Sequence, residues 1–257
     1  MIQRINKGNP ESLLFFNPMS CDINFWKKTI PSELINNYDV LLINYPGYSS
    51  PFIPFPSFQD LADYYHKKVL SKLDKPMHLI GYSYGGLLVQ HLLNNHYDNL
   101  ESVTLIGCSN KLAVRDREIV SIFKNIVTKD LYLFSRILSI LSHNPEEIEQ
   151  NPLIGLQKFS NLKLTVEDYQ PILQQLNHIL KVKEIEVRDQ QVPAMLIYGD
   201  QDRLIDTSTI NRFKEFLEHL EIVKLKGESH ILDMENVFHH IVKFLKKQKS
   251  WTQLILG

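Results

Sequence analysis

Short apolar runs alternate along the chain with longer stretches in which apolar residues recur every three or four positions. The short runs predict strands, and the near-continuous apolar character of "DVLLINY" and "AMLIYG" suits strands that are buried on both faces of a sheet. The predicted strands are Ser12–Asn17, Asp39–Tyr45, Met77–Tyr82, Ser102–Cys108, Ala194–Gly199 and Glu221–Leu225. The predicted helices are Asp60–Leu73, Leu87–Asn95, Thr209–His219 and Val237–Lys247. This order predicts an α/β fold with a mostly parallel central sheet flanked by helices.

The alternation is interrupted over residues 111–188, where strand patterns stop and helical patterns take over. We therefore predict an α/β core made of residues 1–110 and 189–257, and an inserted helical cap, or lid, made of residues 111–188. Within the cap, the stretch 131–142 is apolar almost all round, so more than one of its sides should be covered. It can pack on the core, line a substrate cavity, or dock on a membrane or partner. The pattern favours packing with one face towards a pocket.

Composition narrows the class of protein. A hydrophobic content of 44% and a charged content of 22% are those of an ordinary globular protein. The formal net charge of -1 argues against a dedicated nucleic-acid binder, because binding to a phosphate backbone depends on clustered Lys and Arg. The two cysteines, Cys21 and Cys108, are too few for a disulfide scaffold. Neither a signal-peptide pattern nor an apolar run near the roughly 18 residues of a membrane span is found, so we expect a soluble cytoplasmic protein, monomer or homodimer, without a nucleic-acid partner.

One serine stands where a predicted strand meets a predicted helix. Ser83 is the centre of "GYSYG", a G-x-S-x-G pentapeptide formed by residues 81–85. Such a turn is so tight that side chains two positions before and after the serine would clash with neighbouring backbone, and glycine removes both clashes. The serine hydroxyl is then raised above the sheet, and the helix N-terminus behind it offers N–H groups to a developing oxyanion. Ser83 is therefore the candidate nucleophile.

A serine hydroxyl needs a base and an orienting acid, which in this type of site follow in the chain order serine, acid, histidine. Asp200 and Asp202 follow a predicted strand, at the sheet end where active-site residues of α/β proteins gather. Asp202 lies further into the loop and is the preferred acid, whereas Asp200 is better placed to shape the turn. His230 follows the last predicted strand on a loop and is the preferred base. The spacings of His, Cys, Asp, Glu and Gly match no zinc or nucleotide site, so neither a metal nor a cofactor is predicted.

These motifs resemble those of the α/β-hydrolase superfamily, and the resemblance runs over nearly the whole chain. The G-x-S-x-G elbow of the family corresponds to residues 81–85, its G-x-x-D acid segment to residues 199–202, and its G-x-x-H base segment to residues 227–230. The stretch "NYPGYSS" stands where the family usually carries D-x-P-G-x-G-x-S. The resemblance implies an α/β-hydrolase fold with a helical lid and a catalytic triad made of the serine, aspartate and histidine named above.

The chain departs from the family pattern after the first predicted strand. Family members usually carry His-Gly there, followed by a residue whose N–H binds the oxyanion, and this chain has Asn17-Pro18. By this alignment the oxyanion donors are the backbone N–H groups of Met19 and Tyr84. Because Pro18 has no N–H and a fixed φ, the loop is expected to differ in shape. Family thioesterases that release biosynthetic acyl chains can also carry proline here, which keeps thioester substrates open.

The resemblance implies a serine hydrolase that cleaves a carboxylic ester or thioester through an acyl-enzyme. Aromatic residues of "YPGYSSPFIPFPSF" suggest an apolar acyl group, although they can equally staple their own loop to the body. The expected partner is a small-molecule acyl substrate, and a carrier-bound form is left open. A lyase, acyltransferase or C–C hydrolase with the same triad is the alternative. A non-catalytic binding or signalling member is disfavoured, because no triad residue is missing.

Overall fold

The computed structural model describes residues 2–154, 166–182, 184–185 and 191–256. Within these ranges, seven strands form a single sheet: β1 (Ile2–Ile5), β2 (Ser12–Phe16), β3 (Asp39–Ile43), β4 (Met77–Tyr82), β5 (Leu100–Ile106), β6 (Ala194–Gly199) and β7 (Leu220–Leu225). Their order across the sheet is β1-β3-β2-β4-β5-β6-β7. All neighbouring strands are parallel except β1, which pairs antiparallel with β3. The predicted α/β fold with a mostly parallel sheet is confirmed.

The six predicted strands are present, with ends that differ from the prediction by two residues or fewer. Strand β1 was not predicted, because four residues with one exposed arginine carry too little periodicity to separate a strand from a loop. Its edge position is decided by the pairing of Ile2 with Ile43 and of Ile5 with Val40, which are distant in sequence.

The described helices are α1 (Asn24–Lys27), α2 (Ser32–Asn37), α3 (Phe58–Lys68), α4 (Tyr84–Leu92), α5 (Val114–Val127), α6 (Leu131–Ser142), α7 (Pro145–Gln150), α8 (Val166–Lys181) and α9 (Met234–Leu256). Two short 3₁₀ helices cover Leu70–Lys72 and Thr207–Glu215. The helix predicted over Thr209–His219 is therefore of the 3₁₀ type and lies earlier in the chain. The final helix does not stop at Lys247 as predicted, since no glycine or proline follows to end it before Leu256.

Two apolar layers cover the two faces of the sheet, and β2 contributes to both. Leu14 and Phe16 pack on the face covered by α3 and α4, while Leu13 and Phe15 pack on the face covered by α1, α2 and α9. All four side chains are fully buried. A strand with both faces buried has no polar alternation, which is why its sequence is continuously apolar.

Helices α5 to α8, which we call the helical segment, lie between β5 and β6. They have a small apolar core of their own, made by Phe123, Val127, Leu131, Phe134, Ile172 and Leu176. The division of the chain into a core and a cap stays a prediction, and the predicted boundary at residue 188 lies outside the described residues. Every helix in the described ranges is too short or too polar to cross a membrane.

Candidate active site

Ser83 lies on the sharp turn between β4 and α4, with φ 51° and ψ -113°. Its backbone N–H donates to the carbonyl oxygen of Ile106 at 2.7 Å, and its own carbonyl oxygen accepts from the N–H of Leu87 at 3.1 Å. A positive φ is unfavourable for a residue with a side chain by about 1–3 kcal/mol, so it persists only where the surroundings impose it. These hydrogen bonds on both sides hold the serine in its strained conformation.

The glycines around Ser83 are required by contact with neighbouring backbone. A Cβ added at Gly85 would overlap the carbonyl oxygen of Phe16 at the end of β2, and one added at Gly81 would overlap the carbonyl oxygen of Gly85. The first turn of α4 therefore lies directly against the end of β2. This contact is the clash that the pentapeptide pattern predicts.

The structure brings together the three residues that the sequence selects. The Nε2 atom of His230 lies 3.0 Å from the Oγ of Ser83, and its Nδ1 atom lies 2.7 Å from Oδ2 of Asp202. Since a carboxylate can only accept, Nδ1 carries the proton, and the Nε2 lone pair faces the serine hydroxyl. His230 and Asp202 are buried, at 7% and 8% exposure. This arrangement allows the imidazole to take the hydroxyl proton.

The two aspartates at the end of β6 have different surroundings. Oδ1 of Asp202 accepts from the backbone N–H groups of Leu204 at 2.8 Å and Ile205 at 3.2 Å, which leaves Oδ2 for the histidine. The carboxylate of Asp200 accepts from the N–H of Gly227 at 2.7 Å and so links the acid loop to the base loop. The geometry favours Asp202 as the partner of the histidine and gives Asp200 the turn-shaping role.

Tyr82, which the sequence reasoning did not select, holds the loop that carries His230. Its hydroxyl donates to the carbonyl oxygen of His230 at 2.6 Å and accepts from the N–H of Leu232 at 3.0 Å. Burial raises the pKa of Tyr82 well above its ordinary value, so the hydroxyl keeps the proton that it donates. A tyrosine on a buried strand has no local pattern that reveals such a contact with a loop far along the chain.

Met19 and Tyr84 both lie at the cavity beside Ser83. In the described part of the chain, the backbone N–H of neither residue donates to a protein acceptor. Two unused N–H groups next to a nucleophile are suited to an oxyanion, because the donors that stabilise it must be free in the resting site.

The loop that carries Met19 forms a turn that begins at Pro18; whether proline makes it differ from the family's loop stays a prediction. The N–H of Cys21 donates to the carbonyl oxygen of Pro18 at 3.3 Å, which closes a turn over residues 18–21. Ser20 has a φ of 61° at the third position of this turn, where glycine or asparagine is usual. The carbonyl oxygen of Asn17 accepts from the hydroxyl of Tyr45 at 2.8 Å, which fixes the start of the loop.

A cleft of about 660 Å³, part of it open to solvent, lies in front of Ser83. One wall comes from the ends of β-strands and the other from the helical segment. Besides Ser83 and His230, the described residues that line the cleft are Met19, Tyr84, Leu87, Gly107, Cys108, Ser109, Leu112, Ile119, Val120, Phe123, Leu138, Ile179, Val182, Leu204 and Ile205. Most of the lining is apolar, and the described residues that form it include no Asp, Glu, Lys or Arg. The cleft therefore suits an uncharged apolar group.

Helix α6 directs one face towards this cleft through Leu138, as its pattern predicts. Its other side exposes Tyr132, Leu133 and Ile140, so less of the helix is covered than its composition indicates. The aromatics of the loop after β3 do not line this cleft. Phe58 packs on Tyr84 with ring centroids 4.8 Å apart, so this aromatic residue attaches its own stretch of chain to the body of the protein.

Known proteins resemble this chain over most of its length. The sequence model of a protein family described as alpha/beta hydrolase fold matches residues 8–236. The pimeloyl-[acyl-carrier protein] methyl ester esterase of Vibrio vulnificus (strain YJ016) is 22% identical over 258 residues, covering 94% of this chain and 96% of the relative. The protein of the same name from Aeromonas hydrophila subsp. hydrophila is 24% identical over 226 residues, covering 80% of this chain and 82% of the relative.

Solved structures share the fold over almost the whole chain. The enol-lactonase from Burkholderia xenovorans LB400 superposes with a TM-score of 0.78 at 18% identity, covering 96% of both chains. The esterase from Exiguobacterium antarcticum gives a TM-score of 0.76 at 14% identity, covering 96% of this chain and 94% of that one. At such identities the likeness shows the fold alone.

Proposed function

Since the chain belongs to the α/β-hydrolase fold family of enzymes, we propose that it is a serine esterase acting on carboxylic esters with an apolar acyl group. The observation that carries this proposal is the hydrogen-bonded chain from Ser83 through His230 to Asp202 at the mouth of an apolar cleft. The names of the curated relatives, which are methyl ester esterases, support ester hydrolysis.

The proposed reaction begins when Oγ of Ser83 attacks the carbonyl carbon of the ester and its proton passes to Nε2 of His230. The N–H groups of Met19 and Tyr84 stabilise the negative oxygen of the tetrahedral intermediate. The carboxylate of Asp202 keeps the imidazole in the reactive tautomer and stabilises its charged form.

The intermediate then collapses as His230 protonates the leaving alkoxide, which departs as an alcohol and leaves an acyl-enzyme on Ser83. A water molecule gives its proton to His230 and attacks the acyl carbonyl in the same geometry. Collapse of the second intermediate returns the proton to Oγ and releases the carboxylic acid.

The cleft indicates the substrate class. Because the described residues of its lining are mostly apolar and include no charged side chain other than the histidine when protonated, we propose that it holds an uncharged alkyl or aryl acyl chain. The acyl group can be free or joined at its far end to a carrier, as the names of the curated relatives suggest for their substrates. An acyl thioester is the alternative substrate. The proline in the loop of Met19 keeps it open, because family thioesterases can also carry proline at this position.

Replacement of the nucleophile tests the proposal. We expect Ser83→Ala to lower kcat on p-nitrophenyl esters by at least about 10³-fold, because the acyl-enzyme cannot form. A fluorophosphonate probe should label the parent at Ser83, as read by peptide mass spectrometry. Esters and thioesters of graded acyl length should give a preference for chains longer than acetyl.

The control is Ser109→Ala, which removes another buried cleft-lining hydroxyl and should keep parental kcat. Incorporation of ¹⁸O from water into the acid separates hydrolysis from the lyase and acyltransferase alternatives. Parental activity in Ser83→Ala would show the assignment of the nucleophile to be wrong.

A further inference from the structure

A buried glutamine from the helical segment contacts the loop that carries Met19. We call residues 17–21 the oxyanion loop. Gln175 of α8 is 2% exposed, and its Oε1 atom accepts from the backbone N–H of Ser20 at 3.1 Å and from the hydroxyl of Tyr48 at 2.9 Å. Burying an amide is unfavourable unless it is hydrogen-bonded, so two donors converging on one oxygen make this a specific contact.

The oxyanion loop needs such a contact because its own hydrogen bonds hold only part of it. The turn from Pro18 to Cys21 orients the peptide whose N–H belongs to Met19. The N–H of the next peptide, between Met19 and Ser20, donates to Gln175 and also contacts the hydroxyl of Tyr48, which itself donates to Gln175. Ser20 has a left-handed φ, which is unfavourable by about 1–3 kcal/mol and persists only when its surroundings impose it. Without the glutamine, this peptide can rotate towards a less strained conformation and turn Met19 with it.

The same face of α8 contacts the other proposed oxyanion donor. His178 follows Gln175 by three positions and therefore lies on the same side of the helix. Its Nδ1 atom lies 2.7 Å from the hydroxyl of Tyr84, and its Nε2 atom lies 2.7 Å from the carbonyl oxygen of Phe55. Since a carbonyl can only accept, Nε2 carries the proton and Nδ1 accepts from the tyrosine. Burial lowers the pKa of His178, which keeps this neutral form.

We propose that Gln175 is a positioning residue for the oxyanion hole, acting from the helical segment by holding the Met19–Ser20 peptide. This role rests on the proposed function, because it supplies a reason for the glutamine only if Met19 N–H stabilises an oxyanion.

The test compares Gln175→Met with two further variants. Methionine keeps the length of the side chain and removes the amide acceptor. We expect kcat on a p-nitrophenyl ester to fall about 10- to 100-fold with KM within about twofold, since loss of an oxyanion donor lowers kcat by about 10²–10³ and misplacement of one less. Gln175→Glu keeps an oxygen acceptor for Ser20 and Tyr48, so its kcat should exceed that of Gln175→Met; its buried negative charge lies beside the oxyanion hole, so we expect kcat to stay below that of the parent.

The matched control is Gln174→Met, one position earlier on α8. Its Oε1 atom accepts from the N–H of Phe55 at 2.6 Å and does not contact the oxyanion loop. We expect parental kcat from this variant, although it also loses a hydrogen bond between α8 and the core. An equal fall of kcat in both methionine variants would overturn the proposal, because it would mean that kcat depends on the docking of α8 as a whole and not on the contact with the oxyanion loop.

A pair of inhibitors separates positioning from a structural role. A trifluoromethyl ketone adds to the serine and forms an oxyanion, whereas the corresponding secondary alcohol fills the cleft without forming one. In Gln175→Met, the Ki of the ketone should rise by the same factor as kcat/KM falls, and the Ki of the alcohol should be unchanged. A parallel rise in both Ki values, or parental kcat in Gln175→Met, would overturn the proposal.

Two measurements keep the result interpretable. If Gln175→Met does not fold, Tyr48→Phe removes the hydroxyl that donates to Oε1 and that also contacts the backbone N–H of Ser20, and it should lower kcat about 3- to 10-fold with the same inhibitor pattern; unchanged kcat and unchanged Ki values would overturn the proposal. Fluorophosphonate labelling of the parent reports on the proposed function separately. A parent labelled at Ser83 together with an unimpaired Gln175→Met would remove the positioning role and leave the esterase assignment standing.

Discussion

Single contacts decide the geometry around Ser83, and the hydroxyl of Tyr82 is one of them. It donates to the carbonyl oxygen of His230 and accepts from the N–H of Leu232, so it holds the loop that carries His230. We expect Tyr82→Phe to lower kcat about tenfold, because the imidazole is less well held, and to lower the free energy of unfolding by about 1–3 kcal/mol as two buried polar groups lose their partner. Steady-state kinetics and urea denaturation measure the two effects.

Tyr65→Phe is the matched control for this prediction. Tyr65 is equally buried and donates to the carbonyl oxygen of Asn44 at 2.9 Å, remote from the base loop. It should lose stability and keep kcat. A tenfold loss of kcat in both variants would mean that activity follows stability and that Tyr82 has no special role.

Residue types alone do not identify a site, as a second serine and histidine in this chain illustrate. His78 lies 2.7 Å from the hydroxyl of Ser102 and 3.4 Å from the carboxylate of Glu11, which repeats the chemistry of the candidate triad. Ser102, however, is 1% exposed and sits inside β5 without the strained turn of Ser83. Its hydroxyl cannot reach a substrate, so the tight turn at a strand end is the informative feature.

At the scale of elements, charged side chains attach the unpredicted strand β1 to the sheet. The buried carboxylate of Asp39, at the start of β3, accepts from Nε of Arg4 at 2.8 Å and from Nζ of Lys75 at 2.9 Å. Burial acts to raise the pKa of Asp39, but the hydrogen bonds and charges of Arg4 and Lys75 outweigh it and hold the pKa below its usual value of 3.8. The folded state therefore releases this proton more readily than the unfolded chain.

This difference predicts how stability depends on pH. A carboxyl group with a lowered folded-state pKa contributes stability that is complete above its unfolded pKa and is lost as the pH falls through the folded value. We expect Asp39→Asn to lower the free energy of unfolding by about 1–3 kcal/mol at about pH 6, and the difference from the parent to disappear as the pH falls below about 4. Urea denaturation over a pH series measures it.

Asp98→Asn is the control for this pH dependence. Asp98 pairs with His96, but its side chain is 94% exposed, so its removal should leave the unfolding free energy unchanged at each pH. A constant difference between parent and Asp39→Asn from pH 6 to 3 would show that the ion pairs do not carry the effect.

The pattern of apolar residues predicted which helices and strands are present more accurately than it predicted their first and last residues. Helix α4 begins at Tyr84, immediately after the nucleophile, whereas its apolar periodicity begins only at Leu87, because Gly85 and Gly86 carry no side chain. Because of these two glycines, the apolar periodicity does not indicate the first turn of the helix. Gly85 is required by the backbone at the end of β2 and Gly86 by the side chain of Cys108, and both contacts lie outside any local window.

At the scale of the whole molecule, the end of α6 is joined to both loops that carry candidate triad residues, Asp202 and His230. The guanidinium of Arg203, next to Asp202, donates to the carbonyl oxygens of Ile140 and His143. The N–H of Ile231, next to His230, donates to the carbonyl oxygen of Ser142 at 2.9 Å. The helical segment is thus attached to the loops of Asp202 and His230, so we expect its position to affect the geometry of the candidate triad.

Loss of the contacts made by Arg203 should loosen both the end of α6 and the loop that carries Asp202. We expect Arg203→Met to lower kcat/KM about 3- to 10-fold and to speed amide hydrogen exchange in the last turn of α6 about tenfold, because local opening there becomes easier while the main core is untouched. Exchange measured by mass spectrometry and kinetics on a p-nitrophenyl ester give the two values.

The control for this coupling is Arg136→Met. Arg136 also donates to a backbone carbonyl, that of Pro152, but the contact stays within residues that lie between β5 and β6. It should keep parental kcat/KM. If both variants lower kcat/KM equally, the attachment to the acid loop is not what matters.

Six of the seven described strands, β2 to β7, and the candidate residues Ser83, Asp202 and His230 could be predicted from the chain alone. Each depends on local physics: a strand buried on both faces must be continuously apolar, and a strained elbow must have glycine two positions on either side of its serine. Tyr82 and Gln175 could not be found in this way. Their partners lie 148 and 155 residues away, and only the packed molecule brings these groups within hydrogen-bond distance. The shape of the oxyanion loop belongs to the same class, since a left-handed Ser20 is maintained by contacts from α8 that no local pattern contains.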